Sequence, residues 1–176
     1  MIKKLALALL GVVILVLGYA ATKPGSFRVS RSVGIQAPPE KVFPLINDLR
    51  AQDSWSPWSK LDPKMKSTYT GPAAGVGAAH EWDGNKQVGA GRLEITESVP
   101  AKRVGMKLDF YRPMSGKNTA GFELEPSDGG TEVTWSMSGP MPFVSKVFSV
   151  FCDMDKLIGK DFEKGLADLK AKAEAK

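Results

Sequence analysis

One cysteine and one histidine stand among 176 residues, and each scarcity closes off a class of chemistry. Cys152 alone leaves no intramolecular disulfide to form, and His80 alone rules out a centre built on several imidazoles, so no metal site is expected. A Ser-His-Asp or Cys-His arrangement would have to use His80, and no G-x-S-x-G stretch offers a nucleophile. Gly75-Val76-Gly77 and Gly89-Ala90-Gly91 stop short of G-x-G-x-x-G, and no Walker lysine motif is present. They read as turn or bulge glycines, and no cofactor is expected. No cysteine lies near the amino terminus, so a lipid-modified terminus is not expected either. Repeats and low-complexity tracts are missing apart from the tail AKAEAK, which reads as a fraying end.

The charge is nearly balanced. Twenty-four basic and 19 acidic residues give +5, and the two signs are interspersed, which speaks for ordinary solubility and against a nucleic-acid partner. The length suits one domain with a core of its own, and a monomer is expected.

What is plentiful is apolar sequence in three different patterns. The first is an unbroken run from Leu5 to Ala21, following Lys3 and Lys4 and ending before Lys23-Pro24-Gly25. Its length is close to bilayer thickness, so it reads as a single membrane span; a cleaved signal peptide is the alternative, with Gly18 and Ala20 spaced like a cleavage site. The leading lysines favour a cytoplasmic amino terminus, with residues 1–25 as anchor and linker and residues 26–176 as an outward-facing domain on the periplasmic or extracellular side of a bacterial inner membrane.

The second pattern is alternation. Phe27, Val29, Val33 and Ile35 alternate with polar residues in a first strand, and Pro39 opens a helical stretch carrying Val42, Phe43, Leu45, Ile46 and Leu49. Pro44 is expected to break that stretch into two short helices, the second near Asn47 to Gln52. After Trp55-Ser56-Pro57-Trp58, a loop expected to pack on the domain, six further strand-like stretches are punctuated by Gly, Pro, Asp and Asn, as in an antiparallel meander. The third pattern has helical period: Val147, Phe151, Met154, Ile158, Phe162, Leu166 and Leu169 lie on one stripe of a helix expected to run from Phe143 to about Lys172, with Cys152 as a small buried hydrophobe. The class is therefore α+β: a sheet covered by its last helix.

This order, together with RSVGIQAPPEKVF, the WSPW loop, HEWDGN, GAGRLEITESVP, TEVTWSMSG and DMDKLIGKDFEKGLADLK, resembles the START/birch-pollen-allergen superfamily (SRPBCC), and within it the bacterial polyketide cyclase/dehydrase branch. The resemblance covers about Phe27 to Lys172. It implies a helix-grip fold, in which a curved seven-stranded antiparallel sheet wraps a long carboxy-terminal helix and encloses an apolar cavity. Relatives of this kind bind lipids, sterols, quinones or polyketides, and some are cyclases or dehydratases; they share no catalytic motif.

From the residues, Trp82, Phe110, Phe122, Trp135, Met137, Phe151, Met154, Ile158 and Phe162 are candidates for a cavity wall and equally for a filled core. His80 and, after it, Glu97 are the candidate proton-transfer groups, Glu97 being expected to share a face with Leu93 and Ile95. Tyr69, Tyr111 and Arg112 could reach a cavity mouth. Gly159 and Gly165 are expected to admit close approach of the sheet or to leave ligand space. The function expected first is a membrane-anchored domain that binds or transfers a hydrophobic small molecule or lipid. A cyclase or dehydratase is the alternative, and an envelope protein-interaction module the third reading.

Overall fold

Alternating stretches pair into a single sheet in the computed structural model, which describes residues 1–175. The chain begins with α1 (Ile2–Thr22), followed by β1 (Ser26–Ile35), α2 (Pro39–Asn47) and α3 (Leu49–Asp53). Six strands follow: β2 (Lys66–Thr70), β3 (Ala79–Asp83), β4 (Ala90–Val99), β5 (Arg103–Arg112), β6 (Gly116–Ser127) and β7 (Gly130–Pro140). The chain closes with α4 (Phe143–Phe151) and α5 (Met154–Glu174). The seven strands lie in the order β1-β7-β6-β5-β4-β3-β2, all antiparallel, so the meander from β2 to β7 is completed by β1 pairing with β7. This is the expected architecture, with differences at three joints.

The first joint lies between the short helices. Pro44 is accommodated inside α2, and the break falls at Asp48, whose extended backbone turns its carboxylate onto the amides of Arg50 (2.8 Å) and Ala51 (3.4 Å). Pro44 forfeits its own amide donor within α2, and the Asp48 carboxylate satisfies the first amides of the helix that follows.

The second joint divides the closing helix. Cys152 is extended, and the Asp153 carboxylate accepts from the amides of Asp155 (3.1 Å) and Lys156 (3.2 Å), starting α5 afresh. The expected stripe is thereby cut: Ile158, Phe162, Leu166 and Leu169 face the domain, whereas Phe151, on the separate α4, is 72% exposed. The tail does not fray where described. α5 runs to Glu174, whose carboxylate accepts from Lys170 and from the Gln36 amide at 2.7 Å each, and only Lys176 of AKAEAK lies outside the described residues.

The third joint is a bulge in β4 between Ile95 and Glu97. One extra residue inverts the alternation beyond it. Ile95 is fully buried opposite Met106, and Ser98 takes the next inward position, where it bonds Asn47 (2.7 Å). Glu97 is turned to the outer face and pairs with Arg103 at 3.5 Å.

Between sheet and α5 the core is aromatic. The Trp135 ring stacks on Phe162 with centroids 4.1 Å apart and on Phe122 at 4.9 Å, and meets the edges of Trp55 and Trp58 at 5.6 and 5.5 Å. Burying such rings supplies much of the folding free energy, and edge and offset contacts suit their quadrupoles. The WSPW loop thus fills the space under the helix as expected, and the Trp55 indole donates to the Leu45 carbonyl (2.9 Å). Gly165 makes the close approach possible, since a Cβ there would lie 2.8 Å from Trp135 Cζ3 and 3.1 Å from Pro57. At Gly159 the space is taken by the Arg31 guanidinium, which crosses from β1 to bond Asp155 (2.9 Å) and Glu163 (2.8 Å).

Candidate ligand site on the concave face

Cross-strand partners share a face, so the register reads the concave surface row by row. One row passes from Trp135 through Phe122 to Val104, all buried, and a second from Met137 through Ala120 and Met106 to Ile95. Beyond these, toward the other end of the strands, the rows change character. Tyr69, His80, Leu93, Leu108 and Asn118 form one; Trp82, Gly91, Phe110 and Gly116 form the next. Leu93, Leu108, Tyr69, Trp82 and Phe110 are only half-buried. One end of the concave face is a solid core, and the other presents apolar and aromatic side chains that nothing among the described residues fully covers.

The polar groups at this open end gather around Tyr69. Tyr69 donates its hydroxyl to Asp53, the last residue of α3, and Asp53 also accepts from Ser59 (3.1 Å). The His80 imidazole stacks on the Tyr69 ring, 4.5 Å between centroids and 8° from parallel, and the Arg50 guanidinium stands 4.5 Å from that same ring. Burial, and then the bond to Asp53, push the Tyr69 phenol well above its ordinary range. His80 is 8% exposed; burial lowers its pKa, opposed by the nearby Asp53 carboxylate. Its Nε2 is buried and has no hydrogen-bond partner among the described residues. A buried nitrogen without a partner is costly in a folded protein and is satisfied by whatever polar atom enters beside it.

Trp82 and Phe110 meet edge to face at 6.0 Å, and Trp82 lies 6.0 Å from His80. Gly91 makes this possible. The indole of Trp82 lies over it so closely that a Cβ would fall 2.6 Å from Cζ2. The result is an aromatic wall beside a neutral imidazole and a tyrosine-carboxylate pair, able to hold a flat apolar group and to give or take one proton or hydrogen bond.

The structure brings together four of the residues singled out from sequence, Tyr69, His80, Trp82 and Phe110. Phe122, Trp135, Met137 and Phe162 are buried in the filled half, while Met154 and Ile158 are half-buried at the start of α5. Glu97 is a correction: it lies on the outer face because of the bulge. Phe151 is another. With Met154 it borders a separate groove of about 540 Å³ between the linker, β1 and the α4–α5 junction, outside the sheet. Tyr111 and Arg112 are exposed at the end of β5, where Arg112 pairs with Asp83. Sequence reasoning missed Asp53 and Arg50, which reach the site from α3.

Residues 26–174 match the family described as polyketide cyclase / dehydrase and lipid transport. The chain belongs to that family. No curated protein matches it. Solved structures share the fold at low identity. Protein CV1439 from Chromobacterium violaceum is 19% identical, with a TM-score of 0.60 over 88% of this chain and 100% of its own. The di-domain ARO/CYC BexL from the BE-7585A biosynthetic pathway is 14% identical, with a TM-score of 0.61 over 91% of this chain and 54% of its own. DynU16, from the dynemicin biosynthetic locus, is 17% identical, with a TM-score of 0.58 over 84% of this chain and 47% of its own. In this family member α1 is long and apolar enough to be either a membrane span or a signal sequence.

Proposed function

We propose that this protein is a membrane-tethered binding domain that takes up a hydrophobic, ring-bearing small molecule or lipid at the open end of its concave face. The observation that carries the reading is the pairing of half-buried apolar residues from two adjacent rows, Leu93 and Leu108 with Trp82 and Phe110, with the buried Nε2 of His80, unpartnered among the described residues. Such a surface favours a ligand that is mostly apolar with one polar atom. In this reading α1 stays as an anchor in the inner membrane, and Lys3 and Lys4 hold its start in the cytoplasm, leaving the domain on the periplasmic side. The open end is also the end to which α1 is joined, since β1 begins and β5 and β7 end there. That arrangement suits exchange with a bilayer.

The test is native mass spectrometry of the full-length chain released from mild detergent, with Phe110→Ala and Leu108→Asp beside the wild type. An organic adduct present in wild type and lost in both variants is expected; wild type that flies bare after exposure to a membrane extract would overturn the reading. The contact of Tyr69 with Asp53 and His80 favours a second reading, a cyclase- or dehydratase-like enzyme in which neutral His80 takes a proton and the Tyr69 hydroxyl, turned from Asp53 to the substrate, steadies an oxygen. Once the adduct is identified, its turnover should fall in His80→Ala and Tyr69→Phe while binding persists; unchanged turnover in both removes these roles.

A further inference from the structure

The apolar surface of this protein does not stop at α1. α4 has no buried residue, and Phe143 (48% exposed), Val144 (70%), Phe148 (50%) and Phe151 (72%) show their side chains to the outside. Monomeric soluble proteins rarely leave so much contiguous apolar surface bare without a partner for it. The helix carries no acidic residue, and Lys146 is its only charge.

Its neighbours identify that partner. α4 packs against α1. Along α1 the covered positions are Val16, half-buried, and Ala20, wholly buried, one turn apart near its carboxyl end. The Lys23 ammonium donates to the Ser149 carbonyl of α4 at 2.7 Å, and the Met141 amide donates to the Gly25 carbonyl at 2.7 Å, so the root of α4 is bonded to the linker that leaves α1. Twenty-one residues of helix rise roughly 31 Å, about the thickness of the hydrocarbon layer, which puts the last turn of α1 at its boundary. Lys23 also stands 5.4 Å from the ring of Tyr19, an aromatic and a cation at the level where both are favoured.

We propose that α4 is a second membrane-contact element, lying in the boundary between acyl chains and headgroups of the bilayer that α1 crosses, with Phe143, Val144, Phe148 and Phe151 turned into the lipid. The proposal rests on α1 being a retained span. α4 then fixes the tilt of the domain on the membrane, where a single helix and a three-residue linker would leave it free to turn. Because α4 follows directly on β7, it holds the open end of the sheet, with Trp82 and Phe110, toward the lipid. The attraction is chiefly apolar, so it depends little on anionic lipid.

The experiment uses the full-length chain in vesicles of phosphatidylethanolamine and phosphatidylglycerol. Cys152, the only cysteine, is replaced by Ser, and an environment-sensitive fluorophore is placed at Phe148→Cys or, as reference, at Glu125→Cys on exposed β6. We expect iodide in the water to quench the probe at 148 at least about threefold less than at 125, and brominated acyl chains to quench 148 and not 125. A probe at 148 open to iodide overturns the proposal, and one shielded from both quenchers does so too, by showing a protein on this face. Alkaline carbonate extraction separates the two levels. A chain released by carbonate has lost the anchor reading as well, whereas a retained chain with a wet α4 has lost only this inference.

Discussion

The two ends of this sheet share strands β4, β5 and β6 and face the same side, yet one is finished and the other is not. At the far end Val104, Phe122, Val133 and Trp135 are met by Phe162, Leu166 and the WSPW loop, and the Thr131 hydroxyl bonds the Ala37 carbonyl at 2.7 Å across the seam. At the near end the equivalent inward positions, Leu93, Leu108, Phe110 and Trp82, keep part of their surface. The lesson is a division of labour: stability should reside at the closed end and recognition at the open one.

The sharpest way to break that division is to truncate one aromatic at each end. Trp135→Ala removes the ring that Phe122, Trp55, Trp58 and Phe162 all touch, and should cost about 3–5 kcal/mol in denaturant unfolding of the full-length chain in detergent. Phe110→Ala should cost about 1 kcal/mol, yet abolish the adduct; equal costs would mean that the open end is ordinary core. Next in size, Gly165→Ala should lose about 1–3 kcal/mol, because its methyl group meets Trp135 and Pro57 in a space already filled. A neutral result would show a cavity under α5.

Acid offers a milder probe. His80 is held below its unfolded value of 6.5 by burial, so below that pH the unfolded chain binds a proton that the folded chain refuses. Stability should therefore be full above pH 6.5 and decline as pH falls toward the folded value, by at most about 1.4 kcal/mol per pH unit from this group. Thermal melts at stepped pH should show the decline in wild type and a shallower one in His80→Gln. The smallest effect belongs to Glu97→Gln: an exposed pair on the outer face should change stability by less than about 0.5 kcal/mol and leave the adduct intact. A lost adduct would return Glu97 to the site.

Those contrasts also measure how far the amino-acid order could be read. Strand β5 is legible because Val104, Met106, Leu108 and Phe110 hold strict alternation, and α5 because Ile158, Phe162, Leu166 and Leu169 repeat at helical spacing. The bulge that turns Glu97 outward has no marker in I-T-E-S, since an inserted residue changes which neighbour it faces and not what it is. The break between α4 and α5 did carry a signal, an Asp at a helix start, but Asp153 serves equally well on a wet helix face and does pair with Lys156 at 3.6 Å. Asp53 and Arg50 were out of reach because their partner Tyr69 is a loop away and nothing local points to it.

The crossing of Arg31 over Gly159 has a mechanical consequence. The guanidinium is gripped by Asp155 on one side and Glu163 on the other, one helical turn above and below a residue with no side chain. If α5 slid along β1 by a turn, about 5.4 Å, it would set a bulky residue where the gap now is and part both ion pairs. The helix is therefore keyed to the strand here, as it is farther along where Lys170 donates to the Gly34 carbonyl at 2.6 Å. A slide of α5 along β1 would have to break all of these bonds at once.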